Sequence, residues 1–251
     1  MPKFSYKVKR KIGNILLDAV YSKMSKEDIY YNLEAFMRHS EIKFPSTWFE
    51  LDWVDNWDFE EEIFFGETHF MNTYRRYFLS QAVRIADQRI ADGVNVEIGS
   101  YLGFGSRIML RNSTKDLVVV DSFEGLSTPN EYDGNYWKPG DLSVSDLQFR
   151  KNISEFSSRV KIHKGWIPKV FESIAIDKIS FIYIDVDLYE PTKSALNWAV
   201  RYLDQKAFIL CDDYGFKTCP GVKRACDEFV SENPEFVVLP LPVGSALIFR
   251  V

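Results

Sequence analysis

From about residue 72 onward, apolar and polar positions follow a regular alternation. Tyr74 to Ala91 carries apolar side chains at helical spacing (Phe78, Val83, Ile85, Ala86, Ile90), and Asp92-Gly93 ends the run. Short β-branched runs follow at residues 94–98, 117–120, 160–163, 179–184, 207–211, 236–239 and 246–249. Between the fourth and fifth runs, Pro191 to Leu203 reads as a helix with proline in its first turn; Pro220 to Val230 repeats the signature after the fifth. Strands that are apolar on both faces and alternate with helices predict a parallel sheet covered on both sides. The last two runs are separated by Pro240, Pro242 and Gly244, too short a gap for a helical crossover. They predict a hairpin whose final strand runs antiparallel to the rest. The fold class is therefore α/β, with seven strands, mostly parallel, and helices on both faces.

The segment before this alternation has another texture. Phe44, Trp48, Phe49, Trp53, Trp57, Phe59, Phe64, Phe65, Phe70, Tyr74, Tyr77 and Phe78 are interleaved with Asp52, Asp55, Asp58, Glu60, Glu61 and Glu62. Such a stretch buries large rings against a neighbour while its acids face water. It divides the chain into an aromatic-rich, helical N-terminal extension, residues 1–71, and a catalytic-type α/β domain, residues 72–251. The extension fits packing or a subunit contact, and so a homo-oligomer; as a sharper alternative, it fits a lid over a substrate.

Composition narrows the partners. Lys plus Arg number 31 against 36 Asp plus Glu, a net charge of -5, which argues against nucleic acid or an anionic membrane as the target. The basic residues near the start (Lys3, Lys7, Lys9, Arg10, Lys11) precede no unbroken apolar core, and no apolar run reaches a membrane span. Cys211, Cys219 and Cys226 have no CxxC spacing and are odd in number, as expected of buried thiols in a reducing cytoplasm.

Candidate chemistry lies at the ends of the predicted strands, where open α/β sheets bind ligands. The first strand runs into Glu97-Ile98-Gly99-Ser100-Tyr101-Leu102-Gly103-Phe104-Gly105. The glycines permit a tight turn and close approach of a ligand to the amides that open the next helix. The spacing is not GxGxxG, and Glu97 would repel a pyrophosphate; it suits a ligand with a positive group, such as the amino group or sulfonium of S-adenosyl-L-methionine. The second strand ends at Asp121-Ser122, where an acid can accept ribose hydroxyls.

The fourth strand ends in Asp185-Val186-Asp187-Leu188-Tyr189-Glu190 and the fifth in Asp212-Asp213-Tyr214. Neighbouring strands would bring four carboxylates to one rim. Clustered anions repel, and a divalent cation resolves this; all-oxygen ligands favour Mg²⁺, Mn²⁺ or Ca²⁺ over zinc. Period two places Asp185 and Asp187 on one side if the strand stays extended, one to bind metal and one free nearby. The plainer alternative is helix capping by Asp187 or Glu190, and by Asp212 or Asp213 before Pro220. His163 and His69 are competing bases, more often structural in such isolated positions.

Together, Glu97-x-Gly99, Asp121-Ser122-Phe123-x-Gly125-Leu126, Gly165-Trp166, Asp185-x-Asp187-Leu188-Tyr189-Glu190-x-Thr192 and Asp212-Asp213-Tyr214 resemble the macrocin O-methyltransferase family over roughly residues 70 to 250. The resemblance implies a Rossmann-like fold and an S-adenosyl-L-methionine-dependent O-methyltransferase acting on a sugar or glycoside hydroxyl in natural-product or glycan biosynthesis. It implies Mg²⁺ or Mn²⁺ held by Asp185, Asp212 and Asp213, and Asp187 as general base. Glu97, Gly99 and Ser100 through Gly103 would receive the methionine end of the cofactor, with Asp185 adjoining it. Asp121 and Ser122 would meet the ribose, and Gly165-Trp166 the adenine. Phe104 departs from the pattern, standing where the family commonly has a second glycine. Methylation of a catechol-like diol is the alternative chemistry; a nucleotide-dependent oxidoreductase is a weaker one.

Overall fold

Seven short runs, five of them largely apolar and two (residues 94–98 and 160–164) alternating with polar residues, pair into one sheet, and their order decides where a ligand can sit. The structure is a computed structural model and describes Met71 and residues 73–251. The expectations placed on residues 1–70, the extension with its lid or oligomer contact and His69 included, lie outside the described residues.

Helix α1 (Thr73–Arg89) precedes β1 (Val94–Ile98), α2 (Phe104–Asn112) and β2 (Leu117–Asp121). A long loop then leads to α3 (Asp146–Asn152), followed by β3 (Val160–Lys164) and β4 (Ile179–Ile184). Helix α4 (Tyr189–Ala199), β5 (Phe208–Cys211), α5 (Pro220–Glu232), β6 (Phe236–Pro240) and β7 (Ala246–Arg250) complete the domain. The sheet order is β3-β2-β1-β4-β5-β7-β6. Pairing is parallel from β3 through β5, and β7 is antiparallel to both β5 and β6, as the short final connection requires.

Period-two alternation sends successive side chains to opposite layers. Val96, Ile98, Ile182 and Ile184 face the layer that holds Leu196 and Trp198 of α4 and Phe229 of α5. Val119, Phe181, Tyr183 and Leu210 face Leu79 and Val83 of α1 and Met109 of α2. Every residue of β4 is buried, which explains why its sequence is an unbroken apolar run ending at the acids. The connections reverse direction between β1 and β4, so the crevice outside their carboxyl ends is the switch point where such sheets bind ligands. Among the described residues, no helix is long and apolar enough to cross a membrane.

Two expectations are corrected. Helix α4 begins at Tyr189 rather than Pro191 and its regular part ends at Ala199; Pro191 still occupies the first turn. The helix N-cap position is Leu188, whose side chain makes no capping bond, so neither Asp187 nor Glu190 caps it. The Tyr189 amide donates instead to Asp133 Oδ1 at 2.6 Å, a carboxylate from the loop after β2.

Candidate active site at the β1–β4 switch point

The chain turns sharply after β1 because its end is pressed against the end of β4. The Asp185 amide donates to the Ile98 carbonyl at 2.8 Å, and Asp212 donates likewise to Ile184 at 2.8 Å. A Cβ on Gly99 would lie 1.8 Å from the Asp185 carbonyl oxygen, and Gly99 has φ +83°. Only glycine meets both demands. The loop climbs from there to Gly103, the N-cap residue of α2.

Asp121 is the brace of this loop. Its Oδ2 accepts from the amides of Ser100 (2.7 Å) and Tyr101 (3.1 Å) and from Ser100 Oγ (3.1 Å), while Oδ1 accepts from the Phe123 amide (2.7 Å). Ser122 closes its own turn, donating to the Gly125 carbonyl at 3.1 Å and accepting from the Glu124 amide at 3.0 Å. The Gly165 amide donates to the Asp121 carbonyl at 2.9 Å, which sets Gly165 and the exposed Trp166 beside that strand end. Glu97 is buried beneath the loop, where Ser106 donates to it. Burial raises its pKa well above the ordinary carboxylate value despite that bond. The expected donor-site residues therefore gather at the β1, β2 and β3 ends.

The acids gather at the neighbouring ends of β4 and β5. One oxygen from each of Asp185, Asp212 and Asp213 lies within 4.8 Å of the others; Asp187, Asp213 and the Cys219 thiol form a second such group. The route by which Asp187 arrives differs from the expectation. The strand stops at Ile184, and Asp187 adopts φ +60° after the Leu188 amide folds back to the Val186 carbonyl at 2.6 Å. Asp213 mirrors it, also at φ +60°. Aspartate tolerates this left-handed region better than most residues, and strained backbone of this kind recurs at functional sites. Cys219 Sγ approaches Asp187 Oδ1 at 3.7 Å and accepts from Trp137 Nε1 at 3.3 Å. All three cysteines are buried and free, as expected.

Electrostatics separate the four acids. Burial, then the charge of Asp185, raises Asp187 to about 7. Asp213 is also raised well above the usual range, by burial and then by Asp212 and Asp187. Asp185 is raised by burial and by Asp212 and Asp213. Of these four acids Asp212 alone goes down: burial pushes it up, but the charge and bonds of Arg75 together with bonds from Ser245 and Tyr183 outweigh that.

These partners were not foreseen. Tyr183 lies two residues before Asp185 on the same face, and its hydroxyl donates to Asp212 and lies 3.0 Å from Asp185 Oδ2. Burial and the adjoining acids raise its pKa, so it stays protonated and remains a donor. The alternation on β4 could have revealed it. Ser245, from the turn before β7, donates to Asp212 Oδ1 at 2.6 Å. Arg75 reaches the acids from α1, and no local pattern links it to them. His163 stays away from this rim, on β3, with Nδ1 at 3.1 Å from Ser173 Oγ.

Residues 69–235, more than half of the chain, match the family of macrocin-O-methyltransferase (TylF). The chain belongs to the macrocin-O-methyltransferase family. Among family relatives it is similar to the 8-demethyl-8-(2,3-dimethoxy-alpha-L-rhamnosyl)-tetracenomycin-C 4'-O-methyltransferase of Streptomyces olivaceus, 29% identical over 150 residues. That match takes in 52% of this chain and 57% of the relative, so it spans little more than half of the relative's length. In fold, the chain is similar to the O-methyltransferase NovP (TM-score 0.61, 22% identity, 73% of this chain and 82% of that one). It is also similar to the calicheamicin methyltransferase CalS11 (TM-score 0.59, 20% identity, 90% and 93%). Within the macrocin-O-methyltransferase family, the chain thus carries the methyltransferase sheet together with the acid constellation described above.

Proposed function

We propose that the protein transfers a methyl group from S-adenosyl-L-methionine to a hydroxyl of a sugar or glycoside, with a divalent cation, Mg²⁺ or Mn²⁺, held by Asp185, Asp212 and Asp213. Family membership supports O-methyl transfer, and the names of the relatives, a rhamnosyl-tetracenomycin enzyme and a calicheamicin methyltransferase, support the acceptor class. The donor set fits a hard cation: three buried or half-buried carboxylates converge with oxygen atoms only, and two of them have pKa values raised by burial and then by the neighbouring acids. Bound there, the cation would supply Lewis-acid polarisation of an acceptor hydroxyl.

The chain's own residues do the rest. The Gly99–Gly103 loop, held by Asp121, presents the first turn of α2 to the methyl donor. Asp187 accepts the acceptor's hydroxyl proton. Its place is the single observation that carries the reading: Asp187 is buried at the rim, with a carboxylate oxygen within 4.8 Å of one from Asp213, itself a member of the cation's donor set. Orientation of donor and acceptor supplies much of the remaining acceleration.

The test is Asp187→Asn. Methyl transfer to a panel of nucleotide sugars and glycosides should fall by about 10² or more, while Mn²⁺ binding measured by electron paramagnetic resonance is retained. An unchanged kcat removes Asp187 as the base. Turnover of dihydroxyaromatics and none of glycosides would move the reading to a catechol-like acceptor.

A further inference from the structure

The acid rim already holds a cation, and that cation belongs to the chain. Arg75, on the first turns of α1, sets its guanidinium against both acids of the β5 end. Nε lies 3.0 Å from Asp212 Oδ1 and 3.1 Å from Oδ2; Nη2 bonds Oδ2 as well and reaches Asp213 Oδ1 at 3.4 Å. The guanidinium carbon sits 5.2 Å from the centre of the Phe216 ring, on the loop that follows Asp213. The Arg75 side chain is 10% exposed and that of Asp212 is fully enclosed.

A carboxylate offers about four lone-pair sites. Five contacts crowd those of Asp212: Oδ1 accepts from Ser245 Oγ (2.6 Å), the Asp213 amide (3.0 Å) and Arg75 Nε, and Oδ2 accepts from Tyr183 and Arg75 Nη2. In this arrangement Asp212 has no lone pair for a metal ion. Ser245 and the Asp213 amide are held by β7 and by the chain itself, whereas Arg75 is a long side chain from a separate helix. Among these donors it alone comes from outside the sheet and its loops.

We propose that Arg75 is a built-in counter-ion that competes with the divalent cation for Asp212 and Asp213, so that metal loading and withdrawal of its guanidinium are one exchange. This rests on the metal reading above. Without a metal, the guanidinium offsets repulsion among buried carboxylates that would otherwise be uncompensated. With one, the guanidinium, which now bonds both oxygens of Asp212, must give up at least the oxygen that the ion takes. Arg75 is then a positioning residue acting through Asp212, and the exchange links the acid rim to the start of α1.

If the site is open to metal only in the fraction of molecules whose Arg75 has withdrawn, the apparent Kd exceeds the intrinsic Kd by the inverse of that fraction. Removing the guanidinium therefore tightens metal binding, the opposite of what loss of a merely structural side chain does. Isothermal titration with Mn²⁺ alone should give on the order of tenfold tighter binding for Arg75→Gln than for the wild type, with Arg75→Lys in between. Asp185→Asn is the ligand-loss control. Equal or weaker binding in Arg75→Gln overturns the exchange.

Failure of Mn²⁺ to bind either the wild type or Arg75→Gln overturns the metal reading instead. Should Arg75→Gln not fold, hydrogen–deuterium exchange on the wild type decides. Mn²⁺ should raise exchange at the amides of residues 77–80, which bond to the first turn of α1, and unchanged or slower exchange there refutes the proposal.

Discussion

A methyl group at Gly99 would lie 1.8 Å from the Asp185 carbonyl oxygen, and this contact gives the residue a structural task as well as the one suggested by its place in a ligand loop. Gly99→Ala must part the ends of β1 and β4 or twist the loop out of φ +83°. Left-handed strain alone costs about 1–3 kcal/mol, and the clash adds to it. Urea unfolding should show a loss of at least about 2 kcal/mol. A variant as stable as the wild type would show that the two strand ends are not locked together. Asp121 teaches the same lesson from the polar side. The sequence offers it as a ribose acceptor, while its carboxylate spends bonds on the Ser100, Tyr101 and Phe123 amides. A residue's type and its position at a strand end identify the site, but which of its lone pairs remain for a ligand depends on backbone amides that only the folded loop presents.

At the scale of elements, the central strands β1, β2, β4 and β5 were legible because apolar runs buried on both faces admit little else, the edge strands β3 and β6 are only partly buried, and the final hairpin was legible because its linker is short. The loop between β2 and α3 was not, since nothing periodic marks it. Yet it supplies Asp133, buried to 2% exposure, which accepts from the Asn130 amide at 2.8 Å and from the first amide of α4 at 2.6 Å. It also supplies Trp137, whose bond to Cys219 sits one contact from Asp187. The acids were found by their pairing at strand ends; Arg75 was missed because its helix precedes the sheet by more than a hundred residues of chain from Asp212. Asp133→Ala removes an N-terminal cap supplied from another element and should cost about 1–2 kcal/mol, read as a lower Tm. Asp187→Ala should leave that cap intact, because the helix takes no capping bond from Asp187.

For the whole molecule, the acid rim makes stability depend on pH in a way that a metal ion should alter. In the metal-free chain Asp187 is raised to about 7, and Asp185, Asp213 and Glu97 are raised by burial and, for the two aspartates, by one another's neighbours. Between the ordinary carboxylate range and these raised values, the native state holds protons that the unfolded state has released. Stability therefore falls as pH rises through that window, by up to about 1.4 kcal/mol per pH unit for each retained proton. His163 acts the other way, since burial lowers its pKa below 6.5, and its opposing contribution fades about one pH unit above that value, where it is neutral in both states. Glu228, held down to about 2 by Tyr189, Lys193 and Arg224, stabilises above its unfolded value and loses that contribution only as pH falls toward 2. Among the described residues, the window from pH 6.5 to 8 is thus set mainly by the raised carboxyls at the strand ends. In EDTA, calorimetry should give a Tm that declines across this window. Saturating Mn²⁺ should flatten or reverse the decline, because a bound dication favours the ionised carboxylates that bare burial disfavours. A chelated protein whose Tm holds level or climbs from pH 6.5 to 8 would show that the carboxyls at the ends of β4 and β5 are already ionised without a metal, and that Arg75 suffices to compensate them.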